Sequence, residues 1–252
     1  MRPSPIPFLF GCAVFAQQPE PAPPAPVSCE RLVQEFEAAR TAHNKAVAEA
    51  HKTDAAAVKQ LQAKAPTPGF VKRFQARADE LAGTPAAVPF LVWIVGHAPS
   101  DTGAAAATTV MEQHLLDPGI RLAVARLGTL AATEQITGDR AREWLDAVIA
   151  KNPDVDVQAQ ARYTRASMHV GTRATKRSEE LRQQSIADLE TVIASTRQPS
   201  LAGLAKSLLY EAKTLEPGLP APEIEGEDLD GVRFKLSDYR GKVVLLDYWG
   251  DW

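Results

Sequence analysis

The chain has 252 residues, a length that suits one or two domains with a sizeable hydrophobic core. Its formal net charge is -3, so charge gives no reason to expect nucleic acid or an anionic membrane surface as a partner. The two cysteines, Cys12 and Cys29, form neither a Cys-x-x-Cys pair nor a zinc-binding spacing, so they predict no metal site.

Residues 1–16 are typical of an export signal. Arg2 supplies a positive charge, residues 6–15 are mostly apolar, and residues 14–16 resemble a signal-peptidase cleavage site. A lipoprotein signal is the alternative, and Cys12 would then carry the lipid anchor. The apolar run is too short to span a membrane. We therefore expect a protein of the periplasm or cell envelope that contacts the membrane only through such an anchor.

Residues 17–27 are rich in Pro and Ala, which predicts an extended tether without chemistry of its own. Residues 28–216 then carry helical patterns throughout. The segment 88–95 is apolar on nearly all sides and has Pro89 in its first turn, so it is predicted to be the most buried helix. The apolar stripe of the first helix consists of Leu32, Val33, Phe36, Ala39, His43 and Val47.

Further helices are predicted between Pro and Gly stop signals, over 70–81, 108–116, 120–130, 139–152, 157–170, 181–193 and 201–215. The last three have roughly the length and alternation of tetratricopeptide helix pairs, with Tyr163, Ala166 and Ala187 at matching positions. The connection before Arg182 is longer than such a repeat allows. The sequence therefore predicts a mainly α protein whose helical array is irregular, with true repeats as the alternative.

This helical region shows no arrangement typical of catalysis. Its histidines lie at unrelated spacings, and we find no nucleophile elbow, phosphate-binding loop or paired acids. We expect no metal and no cofactor. The helical region is therefore interpreted as a scaffold, or as a surface that binds a protein partner.

The pattern changes at residues 217–222, where three prolines end the helical region. Residues 223–229 and 232–236 flank Asp230-Gly231, which is the strongest short signal for a β-hairpin. A single helical turn is expected from Ser237 to Tyr239. Residues 243–246 form a continuous apolar run, which is typical of a strand buried on both faces at the centre of a sheet.

The C-terminal segment carries a series of short motifs: Ala221-Pro222, Leu236-Ser237-Asp238, Arg240-Gly241-Lys242, the apolar run, Tyr248-Trp249 and Trp252. In order and spacing, these motifs resemble the entry to a thioredoxin-like domain of the redoxin family, the TlpA/ResA-type thiol-disulfide oxidoreductases and their peroxiredoxin relatives. The resemblance covers about the last 35 residues, and in the family these motifs lead directly to a Cys-x-x-Cys active site.

The resemblance implies an incomplete thioredoxin-like α/β domain over residues 217–252 and a protein disulfide or a peroxide as substrate. Asp247 matches the position of a buried acid that relays a proton while the mixed disulfide is resolved. Tyr248, Trp249 and Trp252 match aromatic residues that pack around the active-site loop, although plain core packing explains Trp249 equally well.

The nucleophile of the family would follow Trp252. One hypothesis is that the next codon is UGA and encodes selenocysteine; a frameshift, a fragmentary assembly or a pseudogene are the alternatives.

Two functions are therefore expected as alternatives. The complete protein is a thiol-disulfide oxidoreductase of the cell envelope, while the chain as written lacks catalytic cysteines and is inactive. Alternatively, the chain is a non-enzymatic interaction module with a vestigial redoxin segment.

Overall fold

The computed structural model describes residues 27–170, 178–215 and 217–247, so the predicted signal and nearly all of the tether lie outside the described residues. The described part is mostly helical and ends in a small antiparallel sheet, as the sequence predicts. The first helices are α1 (Cys29–Thr53), α2 (Ala55–Gln62), α3 (Thr67–Glu80), α4 (Val88–His97) and α5 (Ser100–Gln113). They are followed by α6 (Arg121–Ala132), α7 (Gly138–Lys151), α8 (Val155–Ser167), α9 (Glu179–Ser195) and α10 (Pro199–Thr214).

Polar side chains define where several of these helices begin. Ser28, Thr137 and Ser178 each accept a hydrogen bond from a backbone N–H in the first turn of α1, α7 and α9. Asp154 does the same for two N–H groups of α8. These side chains satisfy backbone donors that a helix otherwise leaves without a partner. The helices α3, α4 and α10 instead carry a proline in the first turn, where its missing N–H is not needed.

The helix α4 occupies the centre of the larger hydrophobic cluster. Residues 90–95 are all buried, which confirms the prediction of a helix surrounded by apolar neighbours. Trp93 stacks on Phe74 of α3 with ring centroids 3.7 Å apart, and Phe36 of α1 meets it edge-on at 5.0 Å. This aromatic contact joins three helices and defines the core of residues 29–168, which we call the first cluster.

The helix α8 lies between the first cluster and a smaller one. Val157 and Ala161 contribute to the first cluster, whereas Ala159 and Ala166 face the smaller one. The smaller cluster, called the second cluster below, is completed by Leu189, Val192, Leu201 and Ala205 of α9 and α10. The prediction of an irregular helical array is consistent with this order, while the tetratricopeptide alternative stays a prediction.

The helices α6 and α8 approach closely at Gly128. A Cβ atom added there would lie 3.4 Å from Cγ2 of Thr164 and 3.5 Å from Cγ of Met168, which is ordinary van der Waals contact. We expect Gly128→Ala to be tolerated, with a gain of about 0.5–1 kcal/mol because alanine suits a helix better than glycine. Gly128→Leu should instead lower the free energy of unfolding by about 1–3 kcal/mol, because the larger side chain forces the two helices apart.

Urea unfolding followed by far-UV circular dichroism checks this pair of variants. Alanine is the matched control for leucine, since both replace the same glycine with a good helix former. Equal unfolding midpoints for the two variants would contradict close packing of α6 against α8.

Candidate functional site

The C-terminal segment forms the predicted β-hairpin. Strand β1 (Glu225–Glu227) pairs with β2 (Arg233–Lys235) in an antiparallel register that places Gly226 opposite Phe234. The turn closes because the carboxylate of Asp228 accepts hydrogen bonds from the N–H groups of Asp230 at 3.0 Å and Val232 at 2.9 Å. Gly231 has a φ of 75°, a left-handed conformation that glycine adopts without strain. The Asp-Gly signal therefore predicted this element correctly.

A second set of hydrogen bonds fixes the chain after the hairpin. A 3-10 turn spans Leu236–Tyr239, one residue earlier than predicted. The carboxylate of Glu223 accepts a hydrogen bond from the N–H of Ser237 at 2.9 Å, and Asp238 accepts one from the N–H of Lys235 at 2.9 Å. The hydrogen bonds from Ser237 lower the pKa of the Glu223 carboxyl below its ordinary value. Hairpin and turn are thus tied into one unit by two carboxylates.

The predicted central strand at 243–246 is not formed in the structure. No strand is assigned there, and Val243 and Leu245 are 102% and 91% exposed. A strand needs hydrogen-bonded neighbours, and within the described residues β1 and β2 pair only with each other. The prediction of a central strand at 243–246 was therefore wrong for these 252 residues. The apolar run is exposed to solvent, as an unpaired strand would be.

Most of the predicted site residues lie outside the described residues: Tyr248, Trp249, Trp252 and Cys12. Asp247 is described, and it is exposed at the end of the apolar run. A proton relay of the predicted kind requires a carboxyl beside a nucleophile. The role of Asp247 therefore stays a prediction that depends on what packs around it.

Cys29 is the free cysteine of the described chain. It is partly buried at the start of α1, where it packs against the first cluster. Burial, together with the negative charge of neighbouring Glu30, raises the pKa of its thiol to about 11. Because the thiolate is the reactive form, this environment is the opposite of the one that activates a catalytic cysteine.

Neither a metal centre nor a membrane helix is found in the described part of the chain. No group of three or more His, Cys, Asp or Glu side chains there is arranged to hold a metal ion. No helix among the same residues combines the length and hydropathy needed to cross a membrane.

The sequence did not indicate two buried carboxylates, Asp156 and Asp188, that bond to basic side chains where α8 meets α9. Asp188 is 3% exposed and accepts hydrogen bonds from Arg165 at 2.7 and 2.8 Å and from Arg162 at 3.1 Å. Asp156 is 7% exposed and accepts hydrogen bonds from Thr196 and Arg197. The available signal was the placement of acidic residues within otherwise apolar helix faces, at positions where a buried carboxylate requires a basic partner.

Part of the chain is similar to curated thiol-disulfide oxidoreductases. It is 33% identical over 73 residues to the thiol-disulfide oxidoreductase ResA of Geobacillus thermodenitrificans, which is 29% of this chain and 42% of the relative. It is 45% identical over 42 residues to ResA of Geobacillus kaustophilus, which is 17% of this chain and 24% of the relative. ResA of Bacillus subtilis is 42% identical over 40 residues, 16% of this chain and 22% of the relative.

These similarities support a relationship of one part of the chain to thioredoxin-like redoxins. The chain spans less than half the length of the curated relatives it matches. No protein-family model and no solved structure matches the chain.

Proposed function

We propose that residues 217–252 are the first part of a thioredoxin-like catalytic domain, and that the complete protein is a thiol-disulfide oxidoreductase of the cell envelope. The observation that carries this proposal is the hairpin and turn unit at residues 223–240, which has the order expected at the entry of such a domain and leads into an apolar run. The partial similarity to ResA oxidoreductases supports the same proposal.

The proposed reaction is thiol-disulfide exchange on a protein disulfide, with a peroxide as the alternative substrate. A thiolate or selenolate attacks one sulfur of the substrate disulfide, a mixed disulfide forms, and the other substrate sulfur leaves as a thiolate. A second thiol of the catalytic pair then attacks the mixed disulfide and releases the reduced substrate. In this scheme Asp247 accepts the proton of the resolving thiol, while Tyr248, Trp249 and Trp252 pack around the active-site loop.

We place the nucleophile outside the 252 residues, since Cys12 and Cys29 do not form a Cys-x-x-Cys motif and the pKa of Cys29 is raised. The 252-residue chain should therefore show no reduction of insulin disulfides by dithiothreitol above the uncatalysed rate. A protein that includes the continuation of the reading frame should be active. If the 252-residue chain itself reduces insulin, the assignment of the nucleophile is wrong.

Substitution of Asp247 tests the role of the acid in the active, extended protein. Asp247→Asn should slow turnover at neutral pH by about 100-fold, the low end of what general acid-base catalysis contributes. Asp230→Asn is the matched control, because Asp230 is an exposed residue at the tip of the hairpin. The two rates are compared in the insulin assay, and equal rates would remove Asp247 from the mechanism.

Export is part of the same proposal, and it rests on the apolar segment before the Pro and Ala-rich tether. Mass spectrometry of the mature N-terminus separates the two kinds of signal. Cleavage after Ala16 indicates a released protein, whereas a lipid-modified Cys12 indicates anchoring. An uncleaved N-terminus beginning at Met1 would argue against export.

The alternative is a non-enzymatic interaction module. It is favoured by the helical region, because the described members of the two clusters lie within residues 29–209 and include no residue of the hairpin. Expression of the 252-residue chain distinguishes the alternatives in part. A stable, soluble product would support the interaction module. Aggregation through the exposed apolar run at 243–246 would argue against it.

A further inference from the structure

The attachment of α9 and α10 to the remaining helices depends on a small apolar contact. The principal contacts of α9 are with α8 and α10, and α10 packs mainly on α9. Among the residues that the structure describes, the buried side chains of the second cluster include three alanines, Ala159, Ala166 and Ala205, and no aromatic ring. The first cluster, in contrast, is built around Trp93 and Phe74. Since hydrophobic stabilisation scales with buried apolar area, the second cluster contributes much less.

Two buried carboxylates supply polar links across this contact, one toward each end of α8. Near the N-terminal end, Asp156 accepts hydrogen bonds from the hydroxyl of Thr196 at 2.9 Å and from the N–H of Arg197 at 2.8 Å. Near the C-terminal end, Arg165 donates to Asp188 of α9 at 2.7 and 2.8 Å. Charge-assisted hydrogen bonds of this kind are stronger than neutral ones and depend on geometry that separation of the helices would destroy.

We infer that α9 and α10 undock from α8 as one unit while the first cluster stays folded, with Asp156 and Asp188 acting as the latches that hold the closed state. Opening exposes the face of α8 that carries Ala159, Tyr163 and Ala166. Proteins commonly open in such subglobular units, and the unit with the fewest buried apolar contacts opens at the lowest free energy. This inference is independent of any redox activity.

Native-state hydrogen exchange of the 252-residue chain, read by mass spectrometry, tests the inference. In the unmodified protein, peptides from 179–215 should exchange before peptides from α4 and α6. Asp188→Asn should speed exchange in 179–215 by about 10- to 100-fold, the range expected when a hydrogen bond to a charged group is weakened, and should leave α4 and α6 unchanged.

Asp146→Asn is the matched control. Asp146 accepts a hydrogen bond from the same Arg165, but it lies on α7 and its side chain is 51% exposed, so this change should leave exchange in 179–215 as it was. Asp156→Asn tests the second latch independently and carries the test if Asp188→Asn does not fold. The inference is overturned if both latch variants speed exchange equally in all helices, or if neither changes exchange in 179–215.

Discussion

Trp93→Ala is expected to lower the free energy of unfolding of the helical region by about 3–5 kcal/mol, the usual cost of removing a large aromatic side chain from a core. Trp93 is 7% exposed, lies in the most buried helix and contacts rings from two other helices. Alanine would leave a cavity between α1, α3 and α4 that these helices can fill only by moving. Chemical denaturation followed by circular dichroism measures the change.

Tyr210→Ala is the control for this variant, because Tyr210 is an aromatic residue that is 54% exposed on α10. A surface substitution of this kind should change the free energy of unfolding by about 0.5 kcal/mol or less. A loss below about 1 kcal/mol for Trp93→Ala would show that the first cluster is not organised around this side chain.

The second large effect concerns Cys29, whose thiol should react slowly with alkylating reagents. Its pKa of about 11, against an ordinary value of 9.0, reduces the thiolate fraction at pH 8 on the order of 100-fold. Partial burial slows access of the reagent further. We therefore expect iodoacetamide to modify Cys29 about 100-fold more slowly in the folded protein than in the same protein unfolded in guanidinium chloride.

Peptide mass spectrometry separates modification of Cys29 from that of Cys12, and the guanidinium sample serves as the control for intrinsic reactivity. The pH dependence has a definite sign: the rate in the folded protein should keep rising up to about pH 11, whereas the rate of an ordinary thiol levels off by about pH 10. Equal alkylation rates for the folded and the unfolded protein would contradict the partly buried position of Cys29. They would indicate a reactive thiol within the helical region.

Much of the fold could be predicted from sequence, because the local sequence patterns favour the same helices and turns that the packing of the folded chain stabilises. The buried helix around Trp93 and the Asp230-Gly231 hairpin are both examples, since each depends on a short stretch of chain. Helix boundaries were less accurate. Helix α5 begins at Ser100, whereas the apolar pattern predicted a start at residue 108. Alanines add little to a hydrophobic pattern, although Ala106 and Ala107 are buried in the first cluster.

The parts that sequence could not supply depend on contacts between distant residues. The arginines that bond to buried Asp188 lie 23 and 26 positions earlier in the chain, at Arg165 and Arg162, so no local pattern indicates them. The prediction of a strand at 243–246 was wrong because strand formation also depends on a distant segment of chain. Its composition predicts a central strand, but a strand forms only when another segment is available to pair with it.

The nucleotide sequence after the Trp252 codon decides whether the C-terminal segment begins a redoxin domain. We expect a continuation that encodes a nucleophilic cysteine or an in-frame UGA for selenocysteine, followed by a resolving cysteine, a helix and further strands. A UAA or UAG codon with no such continuation in any reading frame would rule out this assignment and would leave a helical protein with a vestigial segment.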